Sequence, residues 1–158
     1  LSRLFKAFYQ ITQEYGDLYM IITGNLKNNK KFHRLIHSCG INEKILLPGN
    51  ITDEQMQTLY QSGITGAVNL SLCEGFGRNS YEALLNGLPL LCSDIEINRE
   101  IVGDYPIYCD PTNVEDIING LKKLMKTTAN KSLSSIDERF TIDYNFSNFS
   151  NLIDDCMK

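Results

Sequence analysis

Two glutamates on either side of a glycine turn are the residues of this sequence best suited to chemistry. Glu74 and Glu82 are separated by seven residues, and the turn between them contains Gly75 and Gly77. A carboxylate can accept hydrogen bonds from two hydroxyl groups at once, and glycine lets the backbone approach a ligand closely. This combination predicts a binding site for a ligand that carries hydroxyl groups and negative charge.

A strand and a helix are expected to position these residues. Residues 67–72 form a mostly apolar run of strand length, and Asn79 and Ser80 are residue types that cap helix N-termini. The helix predicted over 81–86 ends at Gly87. Backbone N–H groups and the helix dipole would then face outward at the turn, which suits a phosphate group.

Strands and helices alternate along the rest of the chain. This order predicts an α/β fold, a Rossmann-like doubly wound parallel sheet with helices on both faces. Ligands bind beyond the carboxyl ends of the strands in such sheets, and Glu74 lies at one of these ends. We predict helices over 1–15, 28–39, from Thr52, over 81–86, from Asn113 and from Phe146; strands over 18–23, 45–47, 67–72, 88–93 and 107–109; a polar connection over 94–104; and a loop over 127–135.

The predicted order begins with a helix, whereas a doubly wound domain begins with a strand. We therefore expect the sheet to lack its first strand, which would be central, and the sequence to be an excerpt of a longer protein. Its 158 residues are enough for one domain with a substantial core, and we treat 1–158 as that domain.

Charge and hydropathy argue against two classes of partner. The net charge is −4, and no basic cluster is large enough to cover a face, which disfavours nucleic acid. No apolar run approaches the roughly 20 residues that span a bilayer.

The five cysteines are scattered without a C-x-x-C pair, which favours free, mostly buried thiols in a reducing compartment. We therefore predict a cytoplasmic protein.

A metal site is not expected. His33 and His37 have the spacing of a zinc half-site, but no third ligand is evident and no Glu lies between them. Two partly exposed histidines are the better interpretation of this pair.

The segment 74–83, Glu-Gly-Phe-Gly-Arg-Asn-Ser-Tyr-Glu-Ala, resembles the signature of retaining glycosyltransferases with the GT-B fold. It is most similar to glycosyltransferase family four, the group 1 transferases. Further segments match the family's landmarks in order and spacing, so the resemblance covers nearly the whole chain: 47–51, 87–89, 92–94, 99–104, 110–111 and 140–146.

The resemblance implies the C-terminal, donor-binding half of a two-domain enzyme. Such enzymes move a sugar, with retention, from a nucleotide diphosphate sugar to a glycan or lipid-linked acceptor. Surface polysaccharide biosynthesis in a bacterium is the context that the resemblance and the Asn-, Ile- and Lys-rich composition favour. No cofactor and no bound metal are required. The implied partners are the nucleotide-sugar donor and a missing N-terminal acceptor domain. The full-length enzyme could be purely cytoplasmic, or it could associate peripherally with the inner face of the cell membrane.

The resemblance also assigns roles to individual residues. Glu82 would hydrogen-bond the ribose hydroxyls, and Glu74, the implied catalytic residue, would lie near the hydroxyls of the donor sugar. Backbone amides of the turn would face the sugar and the diphosphate. Arg78 could contact a phosphate or be a surface charge, and Arg99 could reach the site or form a salt bridge with a nearby acid, Asp94 or Glu100. The implied binding set is Gly75, Phe76, Gly77, Arg78, Asn79, Ser80 and Glu82.

Two alternatives and one departure accompany this interpretation. Glu82 could simply cap its own helix, three residues after Asn79. The protein could also be a sugar-nucleotide epimerase or a non-catalytic nucleotide-binding domain of similar fold. The family's usual arginine and lysine for the diphosphate would lie upstream of Leu1, so this chain alone is expected to bind nucleotide weakly and to transfer no sugar.

Overall fold

The computed structural model describes residues 1–128, which form six α-helices and five β-strands. The helices are α1 (Ser2–Glu14), α2 (Lys30–Ser38), α3 (Asp53–Gln61), α4 (Arg78–Leu85), α5 (Glu96–Val102) and α6 (Val114–Lys126). The strands are β1 (Met20–Thr23), β2 (Ile45–Gly49), β3 (Ala67–Asn69), β4 (Leu90–Ser93) and β5 (Ile107–Cys109). The helix predicted from Phe146, the landmark at 140–146 and most of the loop predicted over 127–135 lie outside the described residues.

All pairs of neighbouring strands are parallel, as predicted. One sheet pairs β1 with β2, and the other has β4 between β3 and β5. Within residues 1–128 no strand joins the two sheets by hydrogen bonds. That the sheet lacks a first, central strand stays a prediction.

Two hydrophobic cores lie on opposite faces of β4. Leu91 points into the first core, while Leu90 and Cys92 point into the second, and all four β4 residues are buried, as expected for a strand covered on both faces. The buried residues of the first core are Leu4, Phe5, Ala7, Phe8, Ile11, Phe32, Ile36, Ile41, Ile45, Leu91, Cys109, Ile117, Ile118, Leu121 and Leu124. Those of the second are Ala83, Leu88, Leu90, Cys92, Ile101 and Val102.

Helices α1 and α6 pack against each other and contribute much of the first core. The apolar residues Leu4, Phe5, Ala7, Phe8 and Ile11 of α1 are buried, whereas Leu1, which precedes the helix, is exposed. Close packing of α6 on the sheet depends on Gly120. A Cβ atom at this position would lie 2.5 Å from Cδ1 of Leu91.

Three predicted boundaries are wrong near the glycine turn and after it. Strand β3 ends at Asn69 rather than at residue 72, and α4 begins at Arg78 rather than at 81. The predicted polar connection over 94–104 contains the helix α5. Its Ile101 and Val102 are buried in the second core. Because these two apolar residues are adjacent and follow a polar stretch, they do not show a helical periodicity in the sequence.

No helix among residues 1–128 combines the length and the apolar character needed to cross a membrane.

Candidate functional site

The turn between β3 and α4 ends at a glycine that no other residue type could replace without strain. Gly77 is the N-cap of α4 and has φ 71° and ψ 41°, in the left-handed region. A Cβ atom at Gly77 would also lie 3.2 Å from Oδ1 of the buried Asn98. No side chain of residues 1–128 caps this helix start. The N–H of Ser80 donates a 2.9 Å hydrogen bond to the Gly77 carbonyl oxygen, so the N–H groups that precede it in α4 are the ones left for a ligand.

The prediction that Asn79 and Ser80 cap this helix is wrong. Both lie within its first turn, since the helix starts at Arg78. Asn79 is exposed, whereas Ser80 is fully buried. Ser80 Oγ accepts a hydrogen bond of 2.8 Å from Asn69 Nδ2 and lies 3.3 Å from Cys92 Sγ. The Ser80 side chain thus joins β3, β4 and α4 inside the protein and faces the core.

Replacing Ser80 by alanine is expected to destabilise the fold by about 1–3 kcal/mol, because the amide of Asn69 would be left buried without its partner. Denaturant unfolding followed by circular dichroism measures this change. Asn79→Ala is the matched control, since Asn79 is its exposed neighbour on the same helix turn. Equal stability of the two variants would contradict the structural role of Ser80.

Glu82 is held at both carboxylate oxygens. Oε1 accepts a 2.6 Å hydrogen bond from Arg78 Nε, one helical turn earlier, and Oε2 accepts a 3.0 Å hydrogen bond from the Tyr60 hydroxyl of α3. The Glu82 side chain is 24% exposed. The alternative in which Glu82 caps its own helix is wrong, because the carboxylate is turned towards α3 instead of the backbone at Gly77.

Arg78 lies in an exposed ion-pair group. Its side chain is 72% exposed and contacts Glu82 and, at 3.4 Å, Asp53 of α3. The hydrogen bond with Glu82 is the main cause that raises the pKa of the Arg78 guanidinium. Exposed ion pairs of this kind contribute little to stability. Of the two interpretations of Arg78, the structure shows the surface ion pair, and a phosphate contact stays a prediction.

A cleft of about 320 Å³ lies between α3 and α4, and Glu82 is on its wall. Polar groups from both helices line it together with two apolar side chains: Asp53, Met56, Gln57, Tyr60, Arg78, Glu82, Leu85 and Asn86. The cleft therefore places a carboxylate, a phenol and a guanidinium around one accessible volume.

The other predicted residues of the turn are solvent-accessible. Glu74 is partly buried, Gly75 is exposed with open space around it, and the ring of Phe76 is 42% exposed. The Phe76 ring meets the Tyr81 ring edge-on, with centroids 5.8 Å apart. Glu74 lies within electrostatic range of Cys92, and its charge adds to the raised pKa of that thiol, for which burial is the main cause.

Arg99 forms its ion pair with Asp94, as one of its predicted alternatives stated. Two hydrogen bonds of 2.8 and 2.9 Å join the guanidinium to both carboxylate oxygens, and the guanidinium stacks 3.8 Å above the centre of the Tyr108 ring. The hydrogen bonds from Arg99 are the main cause that lowers the pKa of Asp94. Arg99 is therefore held at the carboxyl end of β4.

Tyr60 is a residue of this site that the sequence alone did not predict. Its hydroxyl partner, Glu82, is 22 residues away, so no local pattern could reveal the contact.

Within the described part of the chain, no three His, Cys, Asp or Glu side chains lie close enough together to hold a metal ion. His33 Nε2 lies 2.7 Å from the Lys27 carbonyl oxygen.

The cysteines of the described region differ sharply in exposure. Cys39, Cys73, Cys92 and Cys109 are free thiols, whereas Cys156 lies outside the described residues. Burial raises the pKa of Cys92 to about 11 and that of Cys109 to about 12, while Cys73, beside Glu74, is exposed. Cys73 therefore departs from the expectation of mostly buried thiols, whereas Cys92 and Cys109 agree with it.

Iodoacetamide at pH 8 is expected to modify Cys73 rapidly and to leave Cys92 and Cys109 unmodified in the folded protein, since the reagent attacks accessible thiolates. Peptide mapping by mass spectrometry measures the three rates. Labelling in denaturant, where all three should react, is the control. Modification of Cys92 as fast as that of Cys73 would contradict its burial.

A family model described as "Glycosyl transferases group 1" matches residues 1–139, which is most of the chain. The chain belongs to this family. The resemblance stated from the segment 74–83 is therefore confirmed at the level of the group 1 glycosyltransferases.

Curated relatives of this glycosyltransferase domain include two mannosyltransferases of Escherichia coli. The "O-antigen chain mannosyltransferase B" is 38% identical over 69 residues, which are 44% of this chain and 18% of the relative. The "Serotype-specific mannosyltransferase WbdA" is 27% identical over 124 residues, which are 77% of this chain and 15% of the relative. The matched segments thus span less than a fifth of either relative.

A solved structure supports the fold. The "Glycosyltransferase from Rickettsia africae ESF-5" superposes with a TM-score of 0.75 over 99% of this chain and 44% of that chain, at 19% sequence identity. The expected Rossmann-like glycosyltransferase fold is confirmed by this likeness.

Proposed function

We propose that this chain is the donor-binding domain of a retaining glycosyltransferase of family four. The complete enzyme moves a sugar from a nucleotide diphosphate sugar to a glycan or lipid-linked acceptor in surface polysaccharide biosynthesis. The observation that carries the proposal is the Glu82 carboxylate, held on the wall of an open cleft one turn beyond an uncapped helix start. Such an arrangement offers acceptors to a ribose and backbone donors to a diphosphate.

Each part of the donor has a matching group in this proposal. Glu82 binds the ribose hydroxyls, Glu74 binds hydroxyls of the sugar, and the amides from Gly75 to Gly77 and at the start of α4 face the diphosphate. A Cβ atom at Gly75 would meet nothing within 4 Å, so there is room for the diphosphate to approach the backbone here. Charge that develops on the departing diphosphate is stabilised by these N–H groups, without a metal ion or cofactor.

Mannose is the first sugar to test, because two similar proteins are named mannosyltransferases. O-antigen synthesis is named for one of them, and this supports a surface glycan as the product. A protein with this role works in the cytoplasm, or at the inner face of the membrane when the acceptor is lipid-linked. An N-terminal acceptor domain completes the enzyme, and cations for the diphosphate come from the segment between that domain and this chain.

Calorimetric titration with UDP, GDP and ADP is the test of the proposal. We expect one of the three to bind, weakly to this chain and more tightly to the full-length protein that contains it. Transfer from the corresponding sugar nucleotide, with retention of the anomeric configuration by NMR, is expected of the full-length protein only. If the full-length protein binds none of the three diphosphates, the proposal is wrong. If it binds one but transfers no sugar, the domain is a non-catalytic nucleotide-binding module, and if it inverts a sugar stereocentre, it is an epimerase.

A further inference from the structure

The hydroxyl of Tyr60 reaches from α3 to the Glu82 carboxylate on α4. It donates a 3.0 Å hydrogen bond to Oε2, between residues that are 22 positions apart in the sequence. The other oxygen, Oε1, accepts from Arg78. Glu82 is thus fixed from two directions, once from its own helix and once from a neighbouring one.

Of these two donors, Tyr60 is the better anchor. The Arg78 side chain is 72% exposed and lies on the same helix as Glu82, so solvent competes for its contact. Tyr60 is partly buried and its ring packs against the second core. Burial, followed by the hydrogen bond to Glu82, raises the pKa of Tyr60 to about 12, so the hydroxyl keeps its proton and remains a donor at neutral pH.

Polar side chains of helix α3 contact α4 and the residue that follows it. None of the residues of α3 is buried, and Gln57 donates a 2.9 Å hydrogen bond to Asn86 while Asp53 contacts Arg78. Tyr60 is the residue of α3 that both packs on the second core and touches the carboxylate of Glu82. The geometry of the Glu82 side chain is therefore linked to the core through Tyr60.

We propose that Tyr60 is a positioning residue for donor binding: it holds the Glu82 carboxylate in the orientation that receives the two ribose hydroxyls. This inference rests on the proposed function, because it presupposes that Glu82 binds ribose. A carboxylate offers about four acceptor positions, and Tyr60 and Arg78 occupy two of them. Two positions remain for the vicinal diol, and the carboxylate no longer has to lose its rotational freedom when the nucleotide binds.

The test compares Tyr60→Phe with wild type in the full-length protein, by calorimetric titration with UDP, GDP and ADP. For the diphosphate that wild type binds, we expect about a fivefold higher Kd in Tyr60→Phe, because one charge-assisted hydrogen bond to Glu82 is lost. For the 2′,3′-dideoxy form of the same nucleotide the two proteins should have equal Kd. In a Glu82→Ala background, Tyr60→Phe should add no further loss.

Tyr105→Phe is the matched control. The Tyr105 hydroxyl donates a 2.7 Å hydrogen bond to the Leu88 carbonyl oxygen, and its ring packs against the same core. Tyr105→Phe therefore removes a comparable tyrosine hydroxyl that does not touch Glu82, and its Kd should equal that of wild type.

Three results would overturn the inference in distinguishable ways. If Glu82→Ala loses binding while Tyr60→Phe keeps the wild-type Kd, Tyr60 has no positioning role although the donor site is real. If Tyr60→Phe weakens the dideoxy nucleotide as much as the ribonucleotide, its effect is a general structural one. If no diphosphate binds to wild type, or Glu82→Ala binds as well as wild type, the ribose site fails, and the role of Tyr60 fails with it.

Discussion

Glu82→Ala is expected to weaken binding of the nucleoside diphosphate by about 100-fold, because two hydrogen bonds between ribose hydroxyls and a carboxylate are lost at once. The sign of this change is informative. Removing a negative charge beside an anionic diphosphate would by itself strengthen binding, so a large loss requires a specific contact. The variant also frees Arg78 from its ion pair, which again favours the anion. Calorimetric titration of the full-length protein measures the change in Kd.

Glu54→Ala is the matched control for this prediction. Glu54 lies in the exposed first turn of α3, next to Asp53, and its substitution removes the same charge close to the cleft. We expect its Kd to stay within about twofold of wild type, as for an exposed charge that makes no ligand contact. Equal affinity of Glu82→Ala and wild type would rule out Glu82 as the ribose ligand. Circular dichroism of each variant checks that the loss does not arise from unfolding.

Most of the fold follows from local patterns in the sequence. Short apolar runs became parallel strands, and four residues of β4 are buried as their composition indicates. The capping box at Thr52 and Gln55 is present with both of its hydrogen bonds, and Asn113 caps α6 as predicted. These features succeed because each depends on residues that are neighbours in the sequence.

The errors arise where a distant residue changes the meaning of a local signal. Ser80 has the composition of a cap, but Asn69 and Cys92 lie beneath it and draw its hydroxyl into the core. Gly77 is the N-cap residue instead, because only a glycine tolerates both the left-handed backbone and the nearby Asn98. Helix α5 was missed because its apolar side is only one turn long.

The candidate site shows the same division. The motif identified Glu82, and the spacing of Arg78 one turn before it is a local signal for their ion pair. The contact from Tyr60 depends on how α3 packs against α4, and no sequence pattern within either helix contains that information. Sequence reasoning can therefore name a candidate carboxylate for ligand binding, whereas the groups that fix its orientation require the structure.

Phe5→Ala is expected to have the largest effect on stability, about 3–5 kcal/mol, because it removes a large buried ring and leaves a cavity in the first core. Phe5 is 0% exposed and its ring meets that of Phe32 edge-on at 5.8 Å, which joins α1 to α2. Since domains of this size have free energies of unfolding of only about 5–15 kcal/mol, the variant should be partly unfolded at moderate denaturant concentration. Urea unfolding followed by circular dichroism measures the difference.

Phe76→Ala is the matched control for Phe5→Ala, since it removes the same side chain from a 42% exposed position at the glycine turn. We expect it to cost less than about 1 kcal/mol, in the range of substitutions at exposed positions. Phe5→Ala should also lower stability without changing nucleotide affinity. Phe5 belongs to the first core, while α4 contributes Ala83 to the second, so Phe5→Ala should keep the wild-type Kd under conditions where it is folded. A similar loss of stability in both variants would contradict the burial of Phe5, and a loss of nucleotide affinity in folded Phe5→Ala would show that the two cores are coupled.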